Sequence, residues 1–349
     1  MRLGLNLGYW GAGNDAENLT LAREADQLGY SVVWAAEAYG SDAATVLAWI
    51  AAQTERIDVG SAVFQIPGRT PANTAMTAAT LDTLSGGRFR LGLGVSGPQV
   101  SEGWHGVRFD KPLGRTREYV AIVRKALARE KVAFDGEFFT LPLPDGPGKA
   151  LTLTVHPVRE SIPIYLAAIG PKNLELTGEI ADGWLAIFFS PEHSAEIMAP
   201  LRAARTAGGR TMDGFDVVPT VPVVLGDDPQ ACADPIRAYS ALYIGGMGSR
   251  DKNFYNQLAT RMGYEAAAIE IQEKYLARDY VAAAGAVPFE FIDSTSLIGP
   301  PERVKDRLHA FAEAGVTTLT IATYSGTLQE RMATLRTMAE VLDASGLAS

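Results

Sequence analysis

Along the chain, short runs of aliphatic and β-branched residues alternate with longer stretches in which apolar positions recur every three or four residues. The short runs predict strands buried on both faces, and the longer stretches predict amphipathic helices. Strands are expected at Leu3–Gly8, Ser31–Ala35, Ile57–Phe64, Phe89–Val95, Ile162–Ala167, Gly183–Phe188, Phe215–Leu225 and Val316–Ala322. Between the first two, Leu21, Ala22, Ala25 and Leu28 share one helical face. Arg23, Glu24, Asp26 and Gln27 face away, and Gly29 supplies the stop. A later helix opens at Pro300–Pro301, carries Val304, Leu308 and Phe311, and ends at Gly315 just before the last strand. Eight parallel strands with helical crossovers close most economically into a (β/α)8 TIM barrel, because closure leaves no unpaired edge. Residues 1–349 read as one such α/β domain.

Two stretches exceed ordinary connections: 133–159, rich in Pro and Gly, and 226–300, with helical patterns at Asp234–Ile244, Phe254–Met262 and Glu265–Ala284. In a barrel, insertions of this length are expected to decorate the C-terminal rim, where substrates bind.

With 47% hydrophobic and 20% charged residues, the chain can bury a large core, which excludes a disordered or low-complexity function. Its formal net charge of −9, with no dense basic run, argues against a nucleic-acid surface. Uninterrupted apolar stretches, such as residues 32–36, are far shorter than the ~18 residues a membrane span requires, and no secretory signal is evident. Cys232 is the only cysteine, which precludes an internal disulfide and suits a reducing cytoplasm. His105, His156, His193 and His309 are dispersed, and no metal-ligand spacing occurs, so no structural metal is expected.

Gly11-Ala-Gly13-Asn-Asp-Ala16 follows a strand and precedes a helix, and Glu37 ends the second strand where a ribose-binding acid would sit in a dinucleotide fold. However, Tyr9 and Trp10 lengthen what should be a tight turn, and eight βα units exceed the six strands of such a domain. A glycine-rich loop on a barrel rim accounts better for the motif.

Other strings are more specific. Thr80-Leu-Asp-Thr-Leu-Ser-Gly-Gly-Arg-Phe89, Leu91-Gly-Leu-Gly-Val-Ser-Gly-Pro98 and Ile180-Ala-Asp-Gly-Trp184 together resemble the luciferase-like flavin and deazaflavin oxidoreductase superfamily. Residues 35–42, 100–106 and 165–172 are similar to its actinobacterial branch that uses coenzyme F420. The likeness runs from residue 1 to about 345. Read locally, Ser85-Gly-Gly-Arg88 is a helix C-cap turn, with Arg88 expected to pair with a nearby carboxylate.

The resemblance implies a non-proline cis peptide in the third strand, by position Ala62–Val63, pressing on the central ring of the cofactor, with Gln65 beside it. It implies that Ser96 and Gly97 contact the ring system or its polyol. The phosphate of the coenzyme tail would lie at Ala168–Ile169–Gly170, where Pro171 opens a helix. Lys172 or Arg69 could add charge there. An ordinary buried strand and a plain βα turn are the structural alternatives for these two segments. Glu37 matches an acidic residue near the ring, but Ala38 stands where sugar-phosphate dehydrogenases of the superfamily place a histidine. Pro98 stands where they place a carboxylic acid, so their activity is not implied. His105 is the remaining acid–base candidate. Tyr9, Trp10, Tyr39 and Trp104, all expected on rim loops, are candidates for an aromatic wall of the substrate pocket.

The function expected from the resemblance is an F420-dependent oxidoreductase, a homodimer passing a hydride between the deazaflavin and a small organic substrate. An FMN-dependent monooxygenase and a non-catalytic barrel that binds a flavin-like ligand are the alternatives.

Overall fold

The computed structural model describes residues 1–10, 15–248, 250, 252–324 and 326–349. Each expected strand is present: β1 (Arg2–Asn6), β2 (Val32–Ala35), β3 (Asp58–Ser61), β4 (Phe89–Gly94), β5 (Ile164–Ala167), β6 (Gly183–Ile187), β7 (Asp216–Leu225) and β8 (Thr318–Thr323). The strands pair in parallel in chain order, and β8 bonds to both β7 and β1, so the sheet closes into a (β/α)8 barrel. The glycine motif at Gly11 and Gly13 lies outside the described residues.

Alternation along the strands sorts side chains between two cores. Leu3, Leu5, Val33 and Ala35 join the large cluster between barrel and helices, whereas Val32, Trp34, Tyr165 and Val218 fill the interior. At the amino-terminal end of the interior, Arg90 Nε donates to Asp58 at 2.8 Å and Nη1 to Asp216 at 3.3 Å. Tyr165 Oη donates to Asp216 at 3.0 Å and Thr318 Oγ1 at 2.8 Å, while Arg2 closes on the same carboxylate at 3.1 Å. Above this polar plug, Trp34 and Tyr165 meet edge to face with centroids 5.4 Å apart. Glycines on the neighbouring strands make room: a Cβ on Gly60 would stand 2.3 Å from the Trp34 ring, and one on Gly183 2.4 Å from Tyr165. By the same alternation the interior positions toward the carboxyl ends of β3, β4, β5 and β8 are Ala62, Gly94, Ala167 and Ala322, while β1 and β6 place Asn6 and Ile187 there. This small-residue floor opens at the barrel mouth.

The two long segments occupy different places. Residues 133–159 form an antiparallel pair, Phe134–Asp135 with Thr140–Leu141, laid against helix Pro112–Leu127. There Glu118 accepts from the backbone N–H groups of Glu137, Phe138 and Phe139. Residues 226–300 leave the carboxyl end of β7 as helices at Pro229–Ala241, Phe254–Arg261, Glu265–Leu276, Tyr280–Gly285 and Phe289–Thr295. They return through Leu297–Gly299, an unexpected strand parallel to the end of β7. This segment has its own apolar cluster, including Ile236, Ile244, Ile271 and Phe291, which reaches the barrel through Phe188.

Two local expectations are corrected. Among the described residues Arg88 pairs with no carboxylate; its guanidinium donates to the carbonyls of Ser85, Ala51, Thr54 and Ile57, closing chain ends that its five N–H donors suit better than one acid would. Asp26, placed on the outer face of its helix by periodicity, is buried. Its carboxylate accepts from the backbone N–H groups of Glu55, Arg56 and Ile57 at 2.7–2.9 Å, which fixes the entry to β3.

Burial works to raise the Asp26 pKa, but the three backbone donors prevail and hold it below the usual aspartate value. A depressed folded-state pKa stabilises the protein above the unfolded-state value, and that stability is lost as pH falls through the folded-state value. Asp26→Asn should therefore lose about 1–3 kcal/mol at pH 7. Urea unfolding should also show a weaker decline in its stability below pH 4 than in the wild type. Equal midpoints at pH 7 would contradict this role.

Candidate functional site

The carboxyl ends of β2, β3 and β4 bring together four of the residues singled out from sequence. Glu37, just beyond β2, accepts from Ala43 N and Gln65 N, both at 3.1 Å, and pairs with Arg69. The two side chains are only 8% and 12% exposed. Arg69 also reaches Asp42, the N-cap of helix Ala43–Ala51, and lies 4.4 Å over the Phe64 ring. Beyond Glu37 the network continues through Gln65, which is buried. Its Nε2 donates to Ser96 Oγ at 3.2 Å, and its Oε1 lies 2.9 Å from His105 Nε2. With the amide in this orientation the imidazole must donate through Nε2. Ser96 adopts φ +62°, a left-handed conformation uncommon for a residue with a Cβ, and this turn carries its hydroxyl to Gln65.

The Ala62–Val63 peptide is cis, at the position the resemblance indicated. Val63 fits because the facing residue is glycine: a Cβ on Gly94 would stand 2.5 Å from Val63 Cγ2.

Beyond β5, Gly170 caps helix Pro171–Ile180 with no side chain of its own to bond the first turn, and a Cβ there would meet no atom within 4 Å. The helix N-terminus is thus open, an arrangement that favours an anion. Arg261, from the 226–300 segment, donates to Ile169 O at 3.1 Å, placing a cation at this turn that sequence spacing could not indicate. Lys172 is exposed on the same turn, whereas Arg69 is committed to Glu37 and Asp42. Gly97 also has open space where a Cβ would project.

The four expected aromatic residues do not form one wall. Trp10 is turned into the core and packs edge to face on Trp49 at 5.8 Å, because it continues the apolar side of the segment after β1. Tyr39 and Trp104 project into solvent at 70% and 67% exposure. Tyr9 is half-exposed, and sequence reasoning missed a cluster of tyrosines carried by the 226–300 segment and the end of β8. The ring centroids of Tyr239 lie 4.7 Å from Tyr243 and 4.8 Å from Tyr324, and Tyr255 stands 4.8 Å from Tyr243. Burial raises the pKa of each of these phenols, so all are neutral near pH 7. Tyr243 lies in a π-helical turn, Leu242–Gly246, that extends helix Pro229–Ala241; such turns recur at functional sites. Next to Tyr324, a cavity of about 330 Å³ opens between the ends of β1 and β8, walled by Asn6, Gly8, Asn18, Thr323 and Arg331. It is set apart from Ala62–Val63, with β2 intervening.

Because Glu37 has its acceptor positions occupied inside the protein, Glu37→Gln should cost about 3 kcal/mol of unfolding free energy, the scale for breaking a buried ion pair. Chemical denaturation measures this directly. A variant as stable as the wild type would show that the carboxylate is not needed to hold the loop.

The chain matches the family model described as luciferase-like monooxygenase over residues 8–318. A Mycobacterium tuberculosis protein provisionally named as a coenzyme F420-dependent oxidoreductase is 44% identical over 328 residues, covering 92% of this chain and 94% of that protein. The 5,10-methylenetetrahydromethanopterin reductase of Archaeoglobus fulgidus is 29% identical over 296 residues, with coverage of 84% and 85%. Among solved structures, the coenzyme F420-dependent tetrahydromethanopterin reductase of Methanopyrus kandleri shares the fold. Its TM-score is 0.82 at 23% identity, over 97% of both chains. The closed barrel and the family match over nearly its whole length agree, and the chain belongs to the luciferase-like monooxygenase family.

Proposed function

We propose that this protein is a coenzyme F420-dependent oxidoreductase acting on a small organic substrate at the carboxyl end of its barrel. The observation that carries the proposal is the open helix N-terminus at Gly170, on the same rim as the Glu37–Gln65–Ser96–His105 network. The first offers a seat for a phosphate and the second an ordered polar edge for a flat ring system. The name of the Mycobacterium tuberculosis relative supports F420 over FMN.

When bound, F420 supplies two-electron hydride chemistry at its ring carbon. The protein's part is to bind and orient. Ala62 and Val63 form the floor under the ring, and Ser96, Gly97 and Gln65 face its polar edge. Ala168, Ile169, Gly170 and Pro171 hold the phosphate, with Arg261 adding charge. Glu37 acts as a positioning residue that fixes Gln65 through its backbone N–H. His105 positions Gln65 from the other side, its Nε2 proton committed to the amide. No helix among the described residues is long and apolar enough to cross a membrane. The enzyme works in the cytoplasm, as a homodimer, with Cys232 buried as a free thiol.

Titrating the purified protein with F420 and, separately, with FMN tests the assignment. Quenching of deazaflavin fluorescence should report saturable binding that FMN does not displace. Gly170→Leu should weaken that binding about tenfold or more, close to 1.4 kcal/mol, because a side chain would fill the open approach to the helix N-terminus. FMN binding in preference to F420 would overturn the cofactor assignment, and unchanged affinity in Gly170→Leu would remove the phosphate from this turn.

A further inference from the structure

We infer that the cavity between the ends of β1 and β8 is the substrate anchor of this enzyme, and that it holds the carboxylate of a small organic acid on Arg331, Asn18 and Asn6. The inference rests on the proposed function, which assigns the β2–β5 part of the rim to the coenzyme.

The cavity, of about 330 Å³, lies where the two strands meet the first turns of helices Asp15–Gln27 and Leu328–Ser345. That volume is at the lower end of the range for small-molecule pockets. Its wall is rich in donors. Asn6 Oδ1 accepts from Gly8 N at 2.9 Å, and Asn18 Oδ1 accepts from Arg331 Nη2 at 3.4 Å. These bonds leave each Nδ2 to donate elsewhere, yet among the described residues neither meets an acceptor, although Asn18 is only 2% exposed. Thr323 Oγ1 accepts from Arg331 Nε at 3.1 Å and keeps its own proton. Among the described residues the wall includes no carboxylate and no lysine, so its one formal charge is the guanidinium.

Arg331 is an unusual choice for its place. It directly follows Glu330 of the capping box, at the helix end whose dipole disfavours a cation. Its side chain is 14% exposed, and the carboxylate it pairs with, Glu17, stands 3.4 Å away and is 46% exposed. Burial lowers the Arg331 pKa below the ordinary arginine value, and Glu17 offsets only part of that effect. Its Nε, Nη1 and Nη2 each make one bond, which leaves two of the five N–H groups uncommitted among the described residues. A buried cation compensated this loosely is stabilised by a closer anion. Because Glu17 is half in water, an arriving carboxylate can displace it and pair with the fork of the guanidinium.

Charge selects a carboxylate over a phosphate. One guanidinium balances a single negative charge, whereas a phosphate dianion would keep an excess beside Glu17. The backbone N–H groups that a phosphate recruits at a helix start are also taken. Thr327 Oγ1 accepts from Glu330 N, and Glu330 Oε2 accepts from Thr327 N, in contrast to the uncapped turn at Gly170. The position suits an anchor. Ala322 belongs both to the cavity wall and to the small-residue floor of the mouth, so an acid held at Arg331 can extend past it toward the seat of the coenzyme ring.

Ligand-observed NMR and equilibrium titration on the purified protein, with and without F420, test the inference. The probes are benzoate, cyclohexanecarboxylate and 4-oxopentanoate, each beside its primary amide, with phenyl phosphate as the dianion. At least one carboxylate should bind to both forms, and its amide should bind about tenfold more weakly or worse. Arg331→Gln should weaken the carboxylate about tenfold or more, and Glu17→Gln should tighten it about threefold, while F420 affinity changes less than about twofold in both. Arg336→Gln, which breaks an exposed pair with Glu24 on the same helix, should match the wild type. Glu17→Gln, at a half-exposed side chain, gives the answer even where Arg331→Gln does not fold. Binding of no carboxylate by the wild type, equal binding of acid and amide, or tighter binding of phenyl phosphate would each overturn the inference. So would wild-type affinity in Arg331→Gln, or unchanged or weaker carboxylate binding in Glu17→Gln. Failure of the coenzyme assignment would be seen separately, as absence of F420 binding by the wild-type protein.

Discussion

A closed eight-stranded barrel must be filled from within, and here the filling is concentrated in two large rings. Trp34 and Tyr165 occupy the centre, and they fit because Gly60 and Gly183 leave no side chain in their way. Tyr165 also reaches down to Asp216, joining the apolar middle to the charged layer of Arg90 and Asp58. Once the interior below is filled this way, uppermost interior positions on β3, β4, β5 and β8 can be small. Ala62, Gly94, Ala167 and Ala322 form a floor on which something other than protein can rest. The geometry of the mouth is therefore a consequence of how the core below it is packed.

Around that floor, the loops differ in how they are held. The β2–β4 loops are tied by charge and hydrogen bonding, with Arg69 bridging Glu37 and Asp42, and Gln65 linking three chain segments. Burial of Glu37 and Arg69 is tolerable because each satisfies the other and backbone donors complete the carboxylate. The opposite loops are held by aromatic packing. The mouth thus joins a polar side, fixed by ion pairs and hydrogen bonds, to an aromatic side, fixed by ring contacts.

The eight strands were legible in sequence because both of their faces are buried, so each reads as an apolar run whatever its partner. The short strand Leu297–Gly299 was not, since three residues beside a helix carry no pattern. Asp26 and Arg88 were misplaced for a common reason: periodicity assigns a face to a charged residue but does not know which backbone groups need a partner there. Glu37, Gln65 and Ser96 were found through motif resemblance and His105 as the remaining acid–base candidate, and the structure brings them into one bonded network. Trp10, Tyr39 and Trp104 were chosen only for being aromatic and on loops, a criterion that does not say which way a ring turns.

The tyrosine cluster was invisible for a deeper reason, which is that its geometry depends on backbone irregularity far from any motif. In an unbroken α-helix Tyr239 and Tyr243 would read as one more amphipathic face. The π turn at Leu242–Gly246 loosens the end of that helix, and the carbonyls of Tyr243 and Ile244 must then find other donors. Asn253 supplies them, its Nδ2 donating to both at 3.0 and 2.9 Å, while its Oδ1 caps the next helix through Tyr255 N and Asn256 N. One buried asparagine thus fixes the backbone that carries Tyr243 and the backbone that carries Tyr255. The glycines that close the turn are dictated by Tyr275: a Cβ on Gly245 would stand 2.5 Å from its Cβ, and one on Gly246 2.3 Å from its ring. The aromatic half of the mouth is consequently as tightly specified as the polar half, through backbone hydrogen bonds and steric exclusion where the polar half uses ion pairs.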